Sequence, residues 1–141
     1  MKTIVSKSRL FTLLMLSIAV VGMSSCKKEK EVTLKDEIVG DWEVTSFTED
    51  GAELMDVIVT SFTMEYEAYS GSNGDFDWQI NYADGSSERI QGDYEIDLED
   101  REIKLIKDDG TTTLELDING NNVEIEGIID GFRYVIKGKR D

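Results

Sequence analysis

The chain has 141 residues, with thirty acids against fifteen bases and a formal net charge of −15. It contains no histidine, no proline and a single cysteine. That composition excludes a Ser-His-Asp or Cys-His nucleophile and the usual zinc ligand sets, and its acidity repels nucleic acid, whose phosphates need basic patches.

Residues 1–10 carry Lys2, Lys7 and Arg9 and no acid. Residues 11–22 are an almost unbroken apolar run, and Met23-Ser24-Ser25-Cys26 leads into the charged stretch Lys27-Lys28-Glu29-Lys30-Glu31. A basic start, a short apolar run and small residues before a cut site predict a secretory signal over 1–25. The alternative, an uncleaved anchor, needs about 20 apolar residues, whereas the segment from Phe11 to Met23 is only thirteen residues long. The cysteine at the cut resembles the lipobox of bacterial lipoproteins, where that residue is acylated and becomes the first of the mature chain. The resemblance implies lipidation of Cys26 by palmitate-type chains and stable membrane attachment, since more than one acyl chain is involved. It also accounts for an odd cysteine in an exported chain. Residues 26–32 then form a short charged tether. Lipoproteins of this look are sorted mostly to the outer membrane, so the expected location is the cell envelope, with the periplasmic or surface face left open. Removal of the signal leaves twelve bases against the thirty acids, a formal −18, which keeps neighbours on a membrane apart.

Thr33 with Asp36 fits a helix capping pattern, and Gly40 suits a C-cap. One or two helical turns are predicted over 33–40, closing one end of the domain that occupies 33–141.

From Asp41 onward the pattern has period two, the signature of strands. Asp50-Gly51, Asn73-Gly74, Asp84-Gly85, Asp109-Gly110, Asn119-Gly120 and Asp130-Gly131 punctuate it, and such pairs supply the positive φ of tight hairpins. They divide the chain into eight runs: 41–48, 59–69, 76–83, 87–97, 101–107, 111–118, 122–129 and 132–140. One face carries Trp42 and Val44, then Phe62, Met64, Tyr66 and Ala68. It continues with Phe76, Trp78, Ile80 and Tyr82, then Ile90, Gly92, Tyr94 and Ile96. Ile103, Leu105, Leu114, Leu116 and Ile118 follow, and Val123, Ile125, Gly127, Ile129, Phe132, Tyr134 and Ile136 complete it. Carboxylates such as Glu43, Glu65, Asp77, Glu95, Glu115 and Glu124 take the other face. A one-residue slip would bury them, so the register is well specified. Eight sequential strands with short turns predict an all-β, eight-stranded antiparallel up-and-down barrel; a two-sheet sandwich is the alternative.

Gly40-Asp41-Trp42 after a short helix resembles the Gly-x-Trp signature of lipocalins, and Arg140 ends the last strand where that family places a basic residue over the tryptophan. Arg140 shares face parity with Phe132, Tyr134 and Ile136, and a closed meander brings it beside Trp42, within cation–π reach. The overall look is closest to small bacterial lipocalin-like lipoproteins. Gly40, Trp42 and Arg140 are thus the expected structural signature. The resemblance implies binding of a small hydrophobic molecule inside the barrel. Candidate ligand-binding residues are Phe62 and Met64, then Trp78, Ile80 and Tyr82, and finally Tyr94, Leu105, Leu114 and Tyr134. The loop 49–58, with Leu54, Met55, Val57 and Ile58, is the expected lid. Eight-stranded interiors range from filled to ligand-holding. A filled barrel would act instead as a non-enzymatic interaction module for an envelope protein partner.

No catalytic residue, cofactor or metal site is expected. Glu88, inward near the mouth with Lys107 at the same rim, is the one carboxylate that glycosidase chemistry could recruit; a rim ion pair is the plainer account. The acidic turns 73–77 and 117–121 match no EF-hand spacing.

Overall fold

The computed structural model describes residues 33–140. The predicted signal segment, Cys26 and the whole predicted tether 26–32 therefore lie outside the described residues.

A single helical turn, α1 (Leu34–Glu37), precedes the strands. Asp36 reaches back to accept from the Thr33 backbone N–H and from its hydroxyl, each at 3.2 Å. The C-cap is Ile38 in right-handed helical conformation. Gly40, the expected C-cap, instead opens the first strand with φ +124°.

Nine strands follow: β1 (Gly40–Glu49), β2 (Ala52–Glu53), β3 (Val59–Tyr66), β4 (Gly74–Tyr82), β5 (Ser87–Asp97), β6 (Glu102–Lys107), β7 (Gly110–Asn119), β8 (Asn122–Ile129) and β9 (Phe132–Arg140). All neighbours are antiparallel, and pairing of β1 with β9 closes the sheet. The eight strands other than β2 form an up-and-down barrel; β2 is a two-residue hairpin return on the end of β1. Closure leaves no free barrel edge. The sandwich alternative is thereby excluded.

Alternation places the core where period two predicts it. Trp42, Phe62, Met64, Tyr66, Tyr94, Ile103, Ile125 and Ile136 are almost wholly buried. Most strand ends fall within one or two residues of the predicted ones, and two expectations for the inward face fail. The second run stops at Tyr66 rather than 69, so Ala68 is exposed, and Tyr69 turns in beneath the barrel to accept from the Ile96 N–H at 2.5 Å. Phe132, expected inward, is 46 % exposed at the tip of its hairpin.

The β1–β9 register shifts between Val44 and Ser46. One extra residue in β1 reverses its parity. Trp42 and Val44 point inward below the bulge, and Phe47 joins the core above it. Period-two reading does not detect this inward Phe47.

Candidate functional site

The barrel has a closed end and an open one. At the closed end Leu34 and Ile38 of the α1 segment are buried, and Trp42 donates its indole N–H to the Ile38 carbonyl at 2.8 Å. Tyr66, Tyr69 and Tyr94 meet there edge to face, with ring centroids 5.2 and 5.5 Å apart. The Tyr94 hydroxyl donates to the Glu67 carbonyl at 2.5 Å. Burial pushes the Tyr94 hydroxyl up to about 12, with Tyr69 beside it adding to the shift. Gly92 is needed at this level: a Cβ there would lie 2.1 Å from the Ile106 carbonyl oxygen and close to the Phe76 ring. Mid-barrel, Trp78 donates to the Tyr66 hydroxyl at 2.9 Å. Burial raises the Tyr66 hydroxyl far above its ordinary value despite that bond.

At the open end lies a cavity of about 420 Å³. Trp78, Phe62 and Leu105 border its inner part, Ile80, Ile90 and Ile136 its walls, and Leu54 and Ile58 reach it from the loop after β2. A string of aromatic rings runs along one side. Tyr134 stacks on Phe47 at 5.6 Å, Phe47 meets Phe62 edge to face at 5.3 Å, and Phe62 meets Trp78 likewise at 5.5 Å. Such pairs hold ring positions as well as burying area.

The rim is polar. Tyr134 donates to Glu49 at 2.7 Å and Tyr82 donates to Glu88 at 2.8 Å. The bond to Glu49, then burial, pushes the Tyr134 hydroxyl up to about 12. Burial first, then the bond to Glu88, does the same for Tyr82. Lys107 sits 3.8 Å from Asp109.

Of the nine candidate residues, Phe62, Trp78, Ile80, Tyr82, Leu105 and Tyr134 border this cavity. Met64, Tyr94 and Leu114 are buried and do not border it. Sequence reasoning missed Phe47, hidden by the bulge, and Glu49, which the same bulge carries to the cavity. Glu88 and Lys107 do stand at one rim, but each has a nearer partner, Tyr82 and Asp109.

The lid loop is partly as expected. Leu54 and Met55 pack against the core, whereas Val57 and Ile58 are at least half exposed. β1 pairs with β3 only over 40–43 against 63–66. Above that the strands separate: β2 pairs with β1 alone, and the loop after it meets the start of β3, where the Val59 N–H donates to the Leu54 carbonyl at 3.0 Å. Glu53 accepts from the Ser46 hydroxyl at 2.7 Å, the Phe47 N–H at 2.9 Å and the Met55 N–H at 3.4 Å. Burial raises its carboxyl, but these three bonds and nearby Lys137 prevail and hold it below the usual range.

Among the described residues no group of three or more Asp, Glu, Cys or His side chains is placed to hold a metal.

Three solved structures share this architecture. Designed barrels have this fold. A de novo designed fluorescence-activating β-barrel superposes with a TM-score of 0.58 at 20% identity, over 79% of this chain and all of its own. A redesigned β-barrel gives 0.58 at 17% identity, over 80% of this chain and 99% of its own. A second redesigned barrel, bound to DFHBI, gives 0.58 at 15% identity, over 77% of this chain and all of its own. At these identities the likeness establishes the eight-stranded barrel. No family model and no curated protein matches the chain.

Proposed function

We propose that this chain is a non-enzymatic binding protein, lipid-anchored in the cell envelope through Cys26, whose barrel holds a small hydrophobic molecule. The observation that carries the binding reading is the cavity of about 420 Å³ with apolar and aromatic walls at the open end. Its size falls within the ordinary range of ligand pockets, about 300–1,000 Å³. The barrel that holds DFHBI supports the reading, since a barrel of this architecture accommodates a ligand. The anchoring reading is supported by the basic start, the short apolar run and the cysteine before a charged stretch.

Binding is tested by titrating an environment-sensitive hydrophobic dye against the protein and an Ile129→Trp variant. Ile129 borders the cavity, and the larger ring fills it. Loss of dye binding in a variant that keeps its fold supports the reading; equal binding by both proteins overturns it. Lipidation is tested by metabolic labelling with an alkyne fatty acid, which Cys26→Ala should abolish.

A second reading draws on the outer surface. A concavity of about 630 Å³ runs along β1, β3 and β4 and includes Asp41, Glu43, Glu65, Gln79 and Arg89. It suits a protein partner in the envelope. Crosslinks lost in a Glu43→Lys, Glu65→Lys variant would favour this reading.

A further inference from the structure

The charge at the open end is one-sided. The carboxylates of Glu49, Glu88, Asp109 and Asp130 border the cavity, against the single ammonium of Lys107. That ammonium already faces Asp109 at 3.8 Å. Arg133, on the same hairpin as Asp130, is directed away and pairs with Glu126. An anionic ligand would thus meet no free cation at the cavity among the described residues.

The carboxylates are held in place. Each of Glu49 and Glu88 receives one tyrosine hydroxyl, from Tyr134 and Tyr82 respectively. An ionised carboxylate has about four acceptor sites, so each keeps capacity for a donor from the ligand. These two hydrogen bonds hold the carboxylates at the rim. Tyr134 also belongs to the aromatic string that leads inward through Phe47 to Phe62 and Trp78. Electron-rich ring faces beside carboxylates are the surroundings that favour an organic cation, through cation–π attraction and charge-assisted hydrogen bonds.

We propose that the ligand of this cavity is an amphipathic amine, with its apolar body along Phe47, Phe62 and Trp78 and its ammonium group taken at the rim by Glu49 or Glu88. The inference rests on the cavity being a ligand site and adds the charge of what fills it. A fatty acid or other carboxylate-headed lipid would bring a like charge to the rim. The overall acidity of the chain, at −15, raises the local concentration of cations and lowers that of anions.

The test uses three probes with one naphthyl body and different heads: naphthylethylamine, naphthylethanol and naphthylacetate. Each is titrated against the purified full chain by calorimetry at low ionic strength. The amine is expected to bind at least tenfold more tightly than the alcohol, with the acid weakest. A Glu49→Gln, Glu88→Gln double variant is expected to lose that preference while keeping its affinity for the alcohol. Added salt should narrow the gap, because exposed charges are screened. Equal or tighter binding of the acid or the alcohol overturns the inference and leaves the hydrophobic cavity standing. An amine preference that survives the double variant also overturns it, because the rim carboxylates would not be the cause. Failure of all three probes, together with no dye binding, overturns the cavity reading itself and this inference with it.

Discussion

Arg140 lies over the indole of Trp42, its guanidinium carbon 4.3 Å from the ring centroid. The two residues are register partners across the β1–β9 seam that closes the barrel. The same guanidinium donates to the Val39 carbonyl at 2.8 Å and to the Glu37 carbonyl. One side chain therefore joins the first strand, the last strand and the helical turn beneath them. Gly40 makes room for it: with φ +124° its backbone suits glycine, and a Cβ there would stand 3.2 Å from the guanidinium.

Arg140→Ala should destabilise the fold by about 2–3 kcal/mol, combining a cation–π contact with two hydrogen bonds. Arg140→Lys should recover only part, because an ammonium cannot cover the ring and donate in the same fork geometry. Urea unfolding of the three proteins, with unchanged m-values, measures this. A wild-type midpoint in Arg140→Ala would contradict it.

Gly92→Ala should cost about 1–3 kcal/mol, the usual range for overpacking a core. Its Cβ would collide with the Ile106 carbonyl oxygen at 2.1 Å, which belongs to backbone and cannot rotate away. Thermal unfolding should show the loss, and the Phe76 and Tyr94 ring signals should shift with it.

All five tyrosines of the chain are raised above their ordinary value. The sign follows from linkage. In the unfolded chain a tyrosine releases its proton near pH 10, whereas Tyr82, Tyr94 and Tyr134 keep theirs up to about 12 in the fold. The unfolded state therefore binds fewer protons between those limits, so this contribution to stability is fully present below pH 10 and is lost as pH rises toward 12. An absorbance titration should show tyrosinate forming later in native than in denatured protein. Tyr134→Phe should remove part of the difference.

Glu53 has the opposite sign. Its carboxyl is held below its ordinary value, so its contribution is present above the ordinary carboxylate range and is lost as pH falls through its folded value. Glu53→Ala should loosen the segment between β1 and β3. Hydrogen exchange at the Phe47, Leu54 and Met55 amides should accelerate, while exchange at Ile103 and Ile125 in the core stays slow. A uniform acceleration would mean that Glu53 supports the whole barrel rather than the lid.

Much of this architecture is legible in the residues. Five of the six Asn-Gly and Asp-Gly pairs lie at turns, and the outward carboxylates forbid a slipped register, so most strands and their faces follow; at the sixth, Asn73 bridges to Ser70, Gly74 opens β4, and the turn uses Gly71 at φ +83°. The Trp42–Arg140 pair follows too, because a closed meander returns its last strand to its first. Three things do not follow. The bulge between Val44 and Ser46 inserts one small polar residue among others, and nothing in the composition of Thr45-Ser46 marks it. The turn at 67–73 hides the inward Tyr69, because a loop has no period. Alternation reports which face a residue takes and not its height along the axis. Met64, Tyr94 and Leu114 share the inward face with Phe62 and Trp78 but do not reach the cavity. Counting positions from the mouth separates some of them: β7 begins at the mouth with Gly110, Thr112 borders the cavity, and Leu114 is one inward step below it.

Occupancy of the open end by a ligand separates a binding barrel from a filled one. Native mass spectrometry of the protein purified from its own membranes, before and after organic extraction, tests it most directly. The expected result is a reproducible extra mass that extraction removes, carried by a compound with an amine group. Protein that flies bare before extraction, and takes up neither the dye nor the naphthyl probes afterwards, would contradict the account.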